Sequence, residues 1–138
     1  MNCIDSSILV AAIVQSEPEH DACRKLFTST SCALYSHGIA EAFSTLTGGR
    51  TGNRLAPSVA ASLLADAFVP RLTVLSLTPS EMLHALRDAE NRGVRGGAIY
   101  DFLHLVAARK ANAPRFYTLN LSHFLALRRP GAPEIAKP

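Results

Sequence analysis

Short apolar runs alternate with longer segments whose apolar residues recur at helical spacing. The apolar runs predict strands at Cys3–Ile4, Cys32–Ser36, Leu72–Leu75 and Phe116–Thr118. The segments between them predict helices over residues 6–14, 18–28, 38–47, 57–68, 78–92, 98–110 and 122–127. The tail 130–138 contains Ile135 and predicts an edge strand. This alternation favours an α/β fold, a three-layer α/β/α sandwich around a mainly parallel sheet of four to five strands.

The first strand ends at a carboxylate, Asp5, which two hydroxyl residues and an apolar helix follow. Asp and Ser are good helix caps because their oxygens accept hydrogen bonds from free backbone N–H groups. Asp5 is therefore either a cap or part of a site at the carboxyl edge of the sheet, where open α/β folds bind ligands.

Glu41 and Asp101 are predicted in the first turns of two later helices. The helix of Asp101 is apolar on nearly every side, and a buried, unpaired carboxylate costs several kcal/mol or takes up a proton. The helix dipole stabilises a carboxylate in the first turn by only ~0.3–1 kcal/mol. Asp101 therefore needs a cationic partner, and its helix offers no Lys or Arg before Arg109.

Parallel topology predicts that the three carboxylates meet. A crossover helix runs opposite to the strand it feeds, so its N-terminus lies at the carboxyl edge of the sheet. Asp5, Glu41 and Asp101 should converge there, and their mutual repulsion indicates a hard divalent cation such as Mg²⁺ or Mn²⁺. The alternative is three unrelated caps.

Composition bounds the class of protein. The chain of 138 residues suits a single domain, residues 1–138, and 48% hydrophobic with 18% charged residues is typical of a globular protein. The net charge of +3 is a mild bias toward a polyanionic partner. The three cysteines match no zinc motif and indicate reduced thiols. Without a signal-peptide pattern or a run of ~18 apolar residues, we expect a cytoplasmic protein that does not enter membranes.

Other polar residues allow two interpretations each. His104 lies one turn from Asp101 and either approaches the site or is a packed, hydrogen-bonded core histidine. Ser6 and Ser7 lack a Gly-x-Ser-x-Gly elbow, so capping is favoured over nucleophilic catalysis. Arg50 and Arg54 lie in a glycine-rich loop and either bind phosphates of a partner or are solvated loop charges.

Four segments together resemble one family. In order along the chain they are Ile4–Leu9, Ile39–Glu41, Ala98–Ala108 and Tyr117–Phe124. Each is short, but their order and spacing over nearly the full chain resemble the PIN domain family. Within that family they resemble the VapC-type toxins of bacterial toxin–antitoxin systems.

The resemblance implies a metal-dependent endoribonuclease toxin that uses Mg²⁺, for which Mn²⁺ can substitute. Its acidic cluster would map onto Asp5, Glu41 and Asp101, with Asp5 and Asp101 as metal ligands and Glu41 binding directly or through water. The implied partners are an RNA substrate, a cognate antitoxin and a second copy of the chain in a homodimer.

Three further residues are expected to support the site: Ser7, Thr118 and Asn120. Ser7 and Asn120 would hold a water or orient a carboxylate, whereas Thr118 is equally explained as the last strand residue. The chain departs from the family at Asn120, where a fourth acid is common, and at Ser6-Ser7, where Thr-Asn is common. These departures concern the second metal position more than the fold.

Two rival functions remain open at this level. One is a PIN-like module that binds nucleic acid or protein without cutting. The other is a flavodoxin-like phosphoacceptor domain, which usually has an acidic pair after the first strand and a lysine after a late strand. Here Ser6-Ser7 follows Asp5, and no lysine closely follows the fourth strand.

Overall fold

The computed structural model describes residues 1–48 and 54–138. Within them, five short strands form one parallel sheet in the order β3-β2-β1-β4-β5. The strands are β1 (Asn2–Ile4), β2 (Cys32–Tyr35), β3 (Leu72–Leu75), β4 (Arg115–Tyr117) and β5 (Glu134–Ala136). Strand β1 is central, and its Ile4 is in register with Leu34 and Tyr117. Asp5, the next residue, therefore lies at the middle of the sheet's carboxyl edge.

Helices connect all the strands. They are α1 (Ser6–Ile13), α2 (His20–Ser29), α3 (His37–Gly48), α4 (Pro57–Ser62), α5 (Pro79–Asp88), α6 (Ala98–Lys110) and α7 (Leu121–Leu127). At the start of α5, Thr78 and Glu81 form the capping box that the sequence predicts.

Two predicted helices are shorter than expected. The predicted helix 57–68 is α-helical only to Ser62 and continues as wider π-helical turns over Leu63–Phe68. The predicted helix 78–92 ends at Asp88, and a 3₁₀ turn over Glu90–Arg92 leads to Gly93. Gly93 has φ +67°, a left-handed conformation that ends a helix and that glycine adopts without strain.

The core lies on both faces of the sheet because neighbouring strand residues point to opposite sides. Ile4 and Leu34 pack with α1 to α4, whereas Cys3, Ala33 and Phe116 pack with α5 to α7. This confirms the three-layer α/β/α arrangement.

The three cysteines, Cys3, Cys23 and Cys32, are buried and free. Burial raises the pKa of the Cys3 and Cys23 thiols to about 11, so they stay protonated at neutral pH. In the described ranges, no helix combines the length and the apolar character that a bilayer crossing requires.

Candidate active site

Asp5 is both a helix cap and the buried anchor of the sheet edge. Its side chain is only 3% exposed. Oδ1 accepts hydrogen bonds from the backbone N–H groups of Ser7 and Ile8, at 3.1 and 3.4 Å, and from the Ser7 hydroxyl. Burial raises the pKa of Asp5, although the hydroxyls of Ser7 and Thr118 oppose this by donating to the charged form.

Two hydroxyls tie Asp5 to the start of α7. The Ser7 hydroxyl donates to Asp5 and accepts from the backbone N–H of Leu119 at 2.9 Å. The Thr118 hydroxyl donates to Oδ2 of Asp5 at 2.7 Å and accepts from the backbone N–H of Asn120 at 2.9 Å. Thr118 lies just after β4 rather than within it, and its fully buried side chain positions the carboxylate.

Glu41 is held by groups from three parts of the chain. Because α3 begins at His37, Glu41 lies in the second turn and not in the predicted first turn. Its Oε2 accepts from the Ser6 hydroxyl at 2.8 Å, and its Oε1 lies 3.2 Å from His104 Nε2 and 3.5 Å from His37 Nε2. Burial alone would raise the pKa of Glu41, but hydrogen bonds and charge from these neighbours outweigh it and lower the pKa.

Asp101 lies in the first turn of α6, as predicted, and is half-buried. The neighbour that can supply the expected positive charge, when protonated, is a histidine: Oδ2 is 3.7 Å from Nδ1 of His123 on α7. Burial raises the pKa of Asp101. A positive charge on His104 or His123 opposes the rise, and the negative charge of Glu41 adds to it.

His104 satisfies both interpretations that the sequence allowed. It is 1% exposed and packs edge-on against Tyr35, Phe116 and Phe124, with ring centroids 5.5 to 6.5 Å apart. Its Nε2 nevertheless reaches Glu41. Its other ring nitrogen, Nδ1, is buried without a hydrogen-bond partner among residues 1–48 and 54–138.

Glu41 and Asp101 line one cleft of about 530 Å³ together with Ser6, His37 and Tyr100. A second cavity of about 320 Å³ shares Ser6 and Thr45 with this cleft and is lined by Ser7, Glu17 and Asn120 as well. Asp5 is enclosed by its hydrogen-bond partners. In the part of the chain that the structure describes, no three Asp, Glu, His or Cys side chains are grouped as a metal site.

Three residues predicted to serve the site are not among the described residues that line the cleft. Asn120 is exposed at the start of α7, and within the described ranges its side chain makes no capping hydrogen bond. Arg54 is exposed before α4, and Arg50 lies outside the described residues. The supporting role of Asn120 and the contacts of both arginines with RNA stay predictions.

The sequence did not predict a site role for several residues that surround the two cleft carboxylates: Ser6, His37, Tyr100 and His123. One local signal was available, since His37 and Glu41 are four residues apart and share a helix face. The approach of His123 to Asp101 depends on how α7 packs on α6, which no local spacing reveals.

Comparison with known proteins identifies the family of the chain. The PIN domain family model matches residues 3–127. Ribonuclease VapC27 of Mycobacterium tuberculosis is 33% identical over 110 residues, which cover 80% of this chain and 78% of the relative.

Solved structures of low sequence identity share the fold. VapC20 of Mycobacterium tuberculosis, a toxin that cleaves the sarcin–ricin loop, superposes with a TM-score of 0.71 at 18% identity, covering 94% of this chain and all of that one. VapBC2 of Rickettsia felis, bound to a promoter DNA fragment, has a TM-score of 0.67 at 20% identity, covering 99% and 97%. The family match over nearly the whole chain confirms the resemblance, and the chain belongs to the PIN domain family.

Proposed function

We propose that this protein is a metal-dependent endoribonuclease and the toxin of a toxin–antitoxin pair. One observation carries the proposal: Glu41 and Asp101 line the same cleft at the carboxyl edge of the sheet, beside the helix that Asp5 caps. The named activity of the VapC27 relative, a ribonuclease, supports it. Family membership favours this function over a phosphoacceptor domain.

The donor atoms match a hard divalent cation in type. The candidate ligands are carboxylate oxygens, which Mg²⁺ and Mn²⁺ prefer. Oδ2 of Asp5 accepts the Thr118 hydrogen bond and, as a carboxylate oxygen, has a further lone pair to offer. We assign Asp5 and Asp101 as ligands, with Glu41 binding directly or through water. A bound cation would lower the pKa of a water and stabilise charge on the phosphoryl oxygens.

The protein's own groups hold these carboxylates in place. Ser7 and Thr118 fix both oxygens of Asp5, and Ser6 with His104 fixes Glu41. Because hydrogen bonds to charged groups contribute about 1.5–3 kcal/mol each, these contacts favour one orientation of each carboxylate. Catalytic groups held in this way lose little entropy when substrate binds.

The proposed partners are RNA, a second copy of the chain and an antitoxin, in the cytoplasm. An apolar cavity between α3 and the segment that follows α4 could accept an antitoxin segment. Ile39 and Phe43 line one side of it, and Leu64 and Val69 line the other. Ala61 at the end of α4 also lines this cavity, and the described lining includes no residue of α2.

A cleavage assay tests the enzymatic proposal. Purified protein should cut RNA with Mg²⁺ or Mn²⁺ and stop in excess EDTA. Asp5→Asn and Asp101→Asn should each lower the rate by ~10²-fold or more, because each removes a negative ligand from the site. Asp66→Asn makes the same change on an exposed side chain outside the cleft and should cleave like the wild type.

The outcomes separate the candidate functions. Full cleavage in EDTA, or in both the Asp5→Asn and Asp101→Asn variants, would contradict the metal mechanism. RNA binding without cleavage under any metal would favour the non-cleaving module. The toxin role predicts growth arrest when the protein is expressed alone in a bacterial host and relief by the cognate antitoxin. Harmless expression of folded protein at high level would count against it.

A further inference from the structure

Two aromatic rings stack at the side of the acidic cleft. The rings of His37 and Tyr100 lie with centroids 4.9 Å apart and planes inclined by only 11°. They come from the first turns of α3 and α6, which meet at the carboxyl edge of the sheet. Both residues line the cleft that contains Glu41 and Asp101.

The two rings are held by contacts, and Tyr100 is still accessible to solvent. His37 is held from two directions, since its Nε2 lies 3.5 Å from Glu41 while its ring contacts Tyr100. Tyr100 is nevertheless 50% exposed, among the most exposed large side chains of the described residues. A tyrosine that served only to pack α3 against α6 would bury most of its ring. The stack therefore presents an aromatic surface to the cleft instead of filling the core.

We propose that Tyr100, supported by His37, is a stacking platform for an unpaired nucleobase beside the phosphate that is cut. The proposal rests on the proposed ribonuclease function and adds a subsite to it. Aromatic side chains bind splayed RNA bases by stacking, and this contact tolerates different bases because every base has a π-face. Tyr100 directly precedes Asp101, so one nucleotide can place its base on the ring and its phosphate near the carboxylates.

Stacking on Tyr100 requires an unpaired base. A base that is paired inside a duplex has both faces covered by its neighbours and cannot stack on Tyr100. The contact therefore needs an unpaired base next to the phosphate that is cut. RNA duplexes without such a feature should bind more weakly than the separated strands.

A cycle of protein and RNA changes tests this contact. Binding of a short single-stranded RNA is measured with Ca²⁺ in place of Mg²⁺, with gels confirming that the RNA stays intact. The proteins are wild type, Tyr100→Ala, Tyr100→Phe and Leu83→Ala, an exposed position on α5 outside the cleft. The RNAs form a set in which an abasic nucleotide replaces one position at a time.

Tyr100→Ala should weaken binding of the complete RNA by ~10-fold, within the range of base–aromatic stacking. Tyr100→Phe and Leu83→Ala should stay within about twofold. At one abasic position the wild type should lose the same ~10-fold, and there Tyr100→Ala should cost almost nothing more, because the stacking partner is already absent. A structural role for Tyr100 would not produce this coupling.

Three results would overturn the platform: an unchanged affinity of Tyr100→Ala, an equal loss on every abasic RNA, or no RNA binding by the wild type. Cleavage in Mg²⁺, measured separately on the wild type, reports on the ribonuclease function itself. Cleavage without coupling at Tyr100 would reject only the platform. Coupling without cleavage would reject the enzyme and keep the stacking subsite.

Discussion

Gly38 has no room for a side chain, and the atoms that exclude one belong to the site. A Cβ at this position would lie 2.6 Å from Cδ1 of Leu34 and 3.0 Å from Cε1 of His104. Both neighbours are fully buried, so neither can move without displacing other core atoms. Gly38→Ala should therefore push His104 away from Glu41 as well as strain the core.

The size of the effect follows from two opposing contributions. Overpacking a close-packed core by one methyl group costs typically about 1–3 kcal/mol. Alanine is favoured over glycine in helices by up to ~1 kcal/mol, and less in a first turn. The net loss in the free energy of unfolding should be about 1–2 kcal/mol, which lowers Tm by roughly 4–8 °C in a domain of this size.

Gly48→Ala is the matched control because it makes the same change at the other end of α3. Among the described residues, no atom lies within 4 Å of a Cβ at Gly48. Thermal and urea unfolding should show Gly48→Ala as stable as the wild type or more stable. The metal-dependent cleavage rate should fall only in Gly38→Ala. Equal stability of the two variants would refute the packing argument.

Two further predictions concern the charge of the site residues. Asn120→Asp should tighten divalent-cation binding in calorimetry and lower the metal concentration for half-maximal cleavage, because it adds a negative charge beside Ser7; an unchanged metal dependence would contradict this. In EDTA, burial raises the pKa of Asp5 and of Asp101 in the folded protein. The stability linked to these raised pKa values is fully present below the pKa of ~3.9 in the unfolded chain, and it is lost as the pH rises through the pKa values of the folded protein. The lowered pKa of Glu41 acts in the opposite sense and stabilises the fold above its unfolded value. Asp101→Asn should therefore lose less stability than the wild type as the pH rises above about 4 in urea unfolding, and equal slopes would contradict the raised pKa.

The sheet and the positions of Asp5 and Asp101 could be predicted because local patterns determine them. Strands such as Cys32–Tyr35 are buried on both faces and read as continuous apolar runs. Asp101 opens its helix where the apolar pattern begins. From these points, the rule that parallel strands end at one edge brings the carboxylates to the same side of the molecule.

The partners of the acids could not be predicted because they come from distant elements. His104 and Glu41 are separated by 63 residues, and their contact depends on how α6 packs beside α3. The wide turns over Leu63–Phe68 were missed for a different reason. Their apolar pattern is equally compatible with a regular α-helix, so periodicity does not distinguish the two.

The central claim is that Asp5, Glu41 and Asp101 together hold a divalent cation. Anomalous diffraction from crystals of the wild-type protein soaked in Mn²⁺ tests it most directly, because the signal locates the ion itself. We expect a peak at the carboxyl edge of the sheet within about 2.0–2.4 Å of oxygens of Asp5 and Asp101, and its absence from Asp101→Asn crystals. A wild-type protein that cleaves RNA in Mn²⁺ but shows no peak at these carboxylates would contradict the account.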